Sequence, residues 1–253
     1  MKQIVKIRSR IDDITLDIFL NDNNSLNNFV LFIHGFNSNK ESYSYKYIGD
    51  KLLDNNISYA IFSLPYHGER RSLAEDFTVK NCLEDIDLVI DYLYKNIPLK
   101  SLTILGTSFG GYLTLLKIKQ NKLKKENVIL KSPAIKMGKV FESFIPENEK
   151  ENFKEKGFII VPNDKTMKIY YSFLEELKNN RAEDMINLNK EMTIIHGKLD
   201  DTVPYTDSVE FAKNNLSINL ILLDNEKHNY SDDGLDKVVD VLFDIEKNKN
   251  LNL

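Results

Sequence analysis

Short unbroken apolar runs, separated by polar stretches, set the rhythm of this chain. Phe29–Ile33, Ala60–Leu64, Leu102–Leu105, Val128–Leu130 and Thr193–Ile195 are continuous rather than alternating, and many of their residues are β-branched. Strands covered on both faces have this pattern, so the five are read as buried parallel strands. Ile218–Leu223 follows as a sixth. Ile4–Arg8 and Thr15–Leu20 partly alternate instead, which predicts an antiparallel hairpin at one sheet edge with Ile11-Asp12-Asp13 in its turn.

Between the strands the period lengthens to that of helices. Leu83, Ile86, Ile90 and Leu93 mark one face of a helix over Thr78–Asn96. Near the end of the chain Leu235, Val238, Val239, Leu242 and Phe243 recur at helical spacing. Gly110–Lys119 and Asp207–Asn215 are read as further helices. Strands alternating with helices imply right-handed βαβ units and an α/β fold, a mostly parallel doubly wound sheet with helices on both faces. No repeat or low-complexity linker interrupts the chain, so one domain over residues 1–253 is expected.

The rhythm stops between Ser132 and Lys190, where charged residues mix with Phe141, Phe144, Phe158, Tyr170, Tyr171 and Phe173. A structureless loop of that length does not suit a compact domain. A small inserted cap over about residues 133–190 is therefore predicted, with Phe158–Val161 as a short strand and Thr166–Asn179 as a helix. Tyr170, Phe173, Leu174 and Leu177 would be the stripe that anchors it.

Composition narrows the function classes. Of the 253 residues 42% are hydrophobic, enough for one sizeable core, and 28% are charged with a net charge of −4. That balance carries no basic stripe, so no nucleic-acid partner is expected. No apolar run approaches the roughly 18 residues of a membrane span, so no membrane partner is expected either. Met1 to Arg10 carries charges at every second or third position, unlike a secretory leader, and the expected location is the cytoplasm. Cys82 is the only cysteine, which leaves no disulfide framework or thiolate metal cluster.

The chemistry centres on Gly106-Thr107-Ser108-Phe109-Gly110. A Gly-x-Ser-x-Gly pattern is weak alone, but here a strand runs into it and a helix opens behind it, which is the setting of a nucleophile elbow. A serine hydroxyl needs a base to take its proton. His228, in the loop after Ile218–Leu223, returns to the carboxyl edge of the sheet where the elbow sits. A carboxylate should orient that imidazole, and the loop after Thr193–Ile195 offers both Asp200 and Asp201. Spacing from the strand does not choose between them.

The order Ser, Asp, His with a glycine elbow resembles the α/β-hydrolase superfamily, over essentially the whole chain. In that family the segment His-Gly-x-x-Asp-x-x-Val-Pro carries the acid at its Asp; here that residue is Asp200 in His196-Gly197-Lys198-Leu199-Asp200, followed by Val203-Pro204. Asp201 is then left to cap the turn or meet solvent. His34-Gly35-Phe36 resembles the oxyanion loop, which implies that the backbone N–H groups of Phe36 and Phe109 receive the developing negative charge. His34 and His196 would be structural, each beside a turn glycine, while His67-Gly68-Glu69-Arg70 is read as loop architecture with a substrate contact as the alternative.

Among capped members the chain resembles bacterial carboxylesterases related to feruloyl and cinnamoyl esterases. The resemblance implies a small-molecule ester substrate with a small or medium acyl (or aryl) group, and no metal or organic cofactor. A serine nucleophile argues against dehalogenase chemistry, for which the fold uses aspartate. Two other readings stay open. An aminopeptidase-like serine peptidase would need an acidic group for the substrate ammonium, with Glu69 and Glu142 as candidates. A non-catalytic binding protein on the same fold is the other. Substrate identity and oligomeric state are not legible.

Overall fold

Strands β1 (Lys2–Ile7) and β2 (Ile14–Phe19) form the expected hairpin, with Ile7 opposite Ile14 and residues 8–13 between them. Ile14, Leu16 and Ile18 of β2 point into the core, as alternation requires. Asp17 is buried as well, because Lys2 and Lys40 each meet it at 2.9 Å. The apolar runs become β3 (Asn28–Ile33), β4 (Ser58–Phe62), β5 (Ser101–Thr107) and β6 (Asn127–Lys131). Two short strands follow, β7 (Phe158–Ile160) and β8 (Lys168–Tyr170), and then β9 (Met192–Gly197) and β10 (Ile218–Leu223).

Eight strands make one sheet in the order β1-β2-β4-β3-β5-β6-β9-β10, parallel throughout from β4 to β10. In this computed structural model residues 1–21, 28–70, 72–161 and 167–250 are described. The run 218–223, read as a covered strand, is in fact the far edge and only half-buried, since β9 alone flanks it.

The helices are α1 (Tyr43–Asp54), α2 (Val79–Asn96), α3 (Phe109–Lys119), α4 (Met137–Ser143), α5 (Lys150–Lys156), α6 (Tyr171–Asn179), α7 (Tyr205–Lys213) and α8 (Asp232–Asn250). Thr78 caps α2, accepting a hydrogen bond from the Asn81 amide at 3.0 Å. Successive strand residues face opposite sides, so the sheet has two cores. Phe29, Leu31 and Ile33 pack towards α2 and α3, whereas Val30 and Phe32 pack towards α1 and α8. Helices thus cover both faces, the α/β-hydrolase arrangement.

Residues between β6 and β9 carry α4, α5, the β7–β8 pair and α6. One expectation fails here. Lys168–Tyr170 is strand rather than helix, pairing antiparallel with β7 through Phe158↔Tyr170 and Ile160↔Lys168. Met167 and Ile169 are buried while Lys168 and Tyr170 are half-exposed, a period of two that a helix cannot satisfy. The helix begins only at Tyr171, and Thr166 lies outside the described residues. Phe173, Leu174 and Leu177 are buried along α6, with the Phe173 ring 4.5 Å from that of Phe77 and 5.9 Å from that of Phe109.

Candidate active site

Ser108 occupies the single position between β5 and α3, with φ of 52° and ψ of −115°. An L-residue adopts that conformation only under strain, so neighbours must hold it. Its amide donates to the Lys131 carbonyl at 2.9 Å, and its carbonyl accepts from the amides of Tyr112 (3.0 Å) and Ala134 (3.1 Å). Gly110 lets α3 lie against β3: a Cβ there would stand 2.1 Å from the Ile33 carbonyl oxygen. Gly35 similarly admits the loop after β3, since a Cβ there would be 3.1 Å from the Ser108 Cβ.

His228 projects from the loop between β10 and α8. Its Nε2 lies 3.1 Å from Ser108 Oγ, and its Nδ1 lies 2.7 Å from Asp200 Oδ2. The Asp200 side chain is fully buried. Its other oxygen accepts from the amides of Thr202 (3.0 Å) and Val203 (2.8 Å), so the same carboxylate that faces His228 also closes its own turn. Burial opposes ionisation, yet hydrogen bonds from His196, His228 and the Val203 amide hold the Asp200 carboxyl well below the usual range. Asp201 is exposed and accepts from the Thr202 hydroxyl at 3.3 Å.

The other three histidines sit around this trio. His34 is buried, its Nε2 accepting from the Leu64 amide and its Nδ1 next to the Gly35 carbonyl, both at 2.8 Å. Burial, aided by the neighbouring His67, pushes its pKa down to about 3, so it is a neutral strut for the loop. His67 accepts from the Asn37 amide at 3.1 Å, joining the loop after β4 to the one carrying Phe36. Arg70 locks the loop after β4 through Asp12 and Asp85. His196 does more than support a turn: its Nε2 lies 3.2 Å from Asp200 Oδ2 and 3.1 Å from the Val203 carbonyl. The backbone N–H groups of Phe36 and Phe109 have no acceptor among the described residues. Phe109 opens α3, whose amino end adds a field that favours negative charge.

A cavity of about 630 Å³ opens over Ser108 and His228. Met137, Val140, Phe141, Phe144, Ile145 and Ile159 give it an apolar wall, while Asn37, Ser38, Ser42 and Ser44 give a polar one. Among the described residues no Asp or Glu lines it, and Lys131 is the ammonium at its wall. Lys131 escaped the reading of the sequence because a lysine ending an apolar strand looks like a solvated strand end. Here burial lowers its pKa to about 8, against the attraction of Asp200 and Glu226. Among the described residues no group of His, Cys, Asp and Glu could hold a metal ion, and no helix is long and apolar enough to cross a membrane.

Solved structures with this architecture include Est1E from Butyrivibrio proteoclasticus with ferulic acid bound. That match has a TM-score of 0.82 at 22% identity, over 96% of this chain and 98% of that one. Mouse alpha/beta hydrolase domain-containing protein 10 matches with a TM-score of 0.77 at 17% identity, over 98% and 99% of the two chains. An esterase from Exiguobacterium antarcticum matches at 0.71 and 18%, over 98% and 100%. At such identities the likeness is one of fold. No curated protein matches the chain. Residues 24–156, just over half of its length, match the family described as serine aminopeptidase, S33, and the chain accordingly belongs to that family of α/β hydrolases.

Proposed function

We propose that the chain is a serine carboxylesterase acting on esters with a small or medium acyl (or aryl) group, with residues 1–253 as one domain and the segment of about 133–190 as its cap. The observation that carries this reading is the continuous line from Ser108 through His228 to Asp200, beside two amides without acceptors among the described residues. His228 Nε2 takes the hydroxyl proton as Ser108 Oγ bonds to the ester carbonyl carbon. The carbonyl oxygen becomes negative and rests on the Phe36 and Phe109 N–H groups. His228, held by the ionised Asp200, then passes the proton to the departing alkoxide, leaving an acyl-serine. Water repeats the cycle, with His228 as base, and releases the acid.

A serine aminopeptidase is the second reading, favoured by the family description. It requires an anion for the substrate ammonium. Glu69 accepts from Ser63 and pairs with Lys40, and Glu142 pairs with Lys178, so neither lines the cavity. The apolar wall and the Lys131 ammonium instead suit a neutral ester.

A fluorophosphonate probe should label wild type at Ser108 and fail on Ser108→Ala. p-Nitrophenyl esters assayed beside aminoacyl anilides should show turnover of the esters alone. Anilide turnover exceeding ester turnover would sink the esterase reading, and an unlabelled, folded wild type would sink the hydrolytic serine.

A further inference from the structure

Lys131 ends β6 at the wall of the cavity and is only 4% exposed. Its ammonium donates to the His228 carbonyl oxygen at 3.0 Å and lies 3.8 Å from the centre of the Tyr230 ring. Buried Lys117 has Asp87 at 2.5 Å, and Lys40 has Asp17 at 2.9 Å, but Lys131 has no carboxylate within ion-pair distance among the described residues. Removing an ammonium from water without such a partner opposes folding. Stability therefore does not account for a lysine at this place.

We propose that Lys131 is a positioning residue that ties the base to the nucleophile, its ammonium holding the His228 peptide while its own carbonyl holds the Ser108 amide. This rests on the reading of Ser108, His228 and Asp200 given above. The two bonds, 3.0 Å and 2.9 Å, span from one residue to both partners in proton transfer. Elsewhere the His228 loop is fastened at its ends. Leu199 donates to the Glu226 carbonyl at 3.0 Å, Ser231 donates to the Glu226 carboxylate, and Tyr230 Oη donates to the Ile195 carbonyl at 2.9 Å. The His228 carbonyl, by contrast, accepts from Lys131 alone among the described residues. The Tyr230 face aims the ammonium at that carbonyl. Misplacing a base by a fraction of an ångström slows proton transfer without altering how substrate fits the cavity.

Lys131→Met keeps the length of the side chain and removes its charge and its donors. The urea midpoint should be equal to wild type or higher, because a buried unpaired charge is gone. KM should stay within about two-fold, while kcat and the rate of fluorophosphonate labelling fall on the order of 10- to 100-fold. Lys131→Arg, which restores charge and donors, should recover part of the rate. Wild-type rates in a folded Lys131→Met variant would overturn the proposal. So would unfolding of both variants, or a lowered midpoint with kcat intact, since those mark a structural lysine. Failure of wild type to label at Ser108 is a different result, which removes the triad reading and this inference together.

Discussion

Asp200 faces His228 at 2.7 Å with one carboxylate oxygen and binds the amides of Thr202 and Val203 with the other. Neighbouring Asp201 has no route to the imidazole, because its side chain leaves the turn towards solvent. Asp200→Asn should therefore lower kcat on the order of 10³- to 10⁴-fold, since an amide in that place cannot compensate the imidazolium. Asp201→Asn should stay within about two-fold of wild type. Ester kinetics on the two variants check this, and the reverse pattern would move the acid to Asp201.

The apolar wall of the cavity sets an expectation for chain length. Each buried methylene contributes about 0.8 kcal/mol, so kcat/KM should rise up to roughly four-fold per CH₂ along a series of p-nitrophenyl esters. The rise should stop when the acyl chain outgrows the cavity. Val140→Phe, which narrows the wall, should move the break to shorter chains. A flat series would mean that the acyl group lies elsewhere.

His34 makes acid stability measurable. In the unfolded chain it takes up a proton near pH 6.5, in the folded chain only near 3. Its folded pKa is depressed, so the unfolded form binds more protons in between. The native state then has its full advantage above about pH 6.5 and loses up to about 1.4 kcal/mol per unit as pH falls towards 3. The Asp200 carboxyl, also depressed, adds its loss only below about pH 4. Urea unfolding of wild type and His34→Gln at about pH 6 and pH 4 should give a shallower slope in the variant. Equal slopes would place the acid sensitivity in other groups.

Phe173 joins α6 to the body through rings at 4.5 Å (Phe77), 5.5 Å (Phe141) and 5.9 Å (Phe109). Phe173→Ala should cost about 3–5 kcal/mol, the range for a buried phenylalanine removed from a core. It should also raise KM, because α4 with Phe141 loses its backing. Denaturation and ester kinetics on the same preparation test both parts. A stable variant with unchanged KM would separate α6 from the cavity.

The central sheet was legible because its parallel strands leave continuous apolar runs, even at the half-buried edge strand β10, and each of the six lies within a few residues of its expected bounds. Helix α1 was missed. Its inward face, Tyr45, Ile48 and Leu52, is built partly from tyrosine and interrupted by Gly49, so no apolar stripe stands out. The segment from 132 to 191 was harder still, as Lys168–Tyr170 owes its extended form to pairing with β7, a tertiary contact that local propensity does not encode. Of the candidate site, Ser108, Asp200 and His228 stand within hydrogen-bond distance in the order nominated. The contact of His196 with Asp200 and the inward turn of Lys131 carried no sequence signal, because a lone histidine or lysine reads the same whether it faces solvent or a buried partner.

Phe141 touches three parts of the molecule at once. It lines the cavity, packs edge-on against Phe173, and meets the ring of Phe36 at 5.7 Å. Enlarging the cavity at Phe141 would loosen the loop of Phe36, the proposed donor to the developing negative charge, and thin the aromatic seam that seats α6. Substrate range, rate and robustness are thus geared together through one ring, and a broader diet at this position would come with a slower and softer protein. Variation at Ile159 or Phe144, which line the cavity outside that ring cluster, leaves the gearing untouched and is the freer path to new substrates.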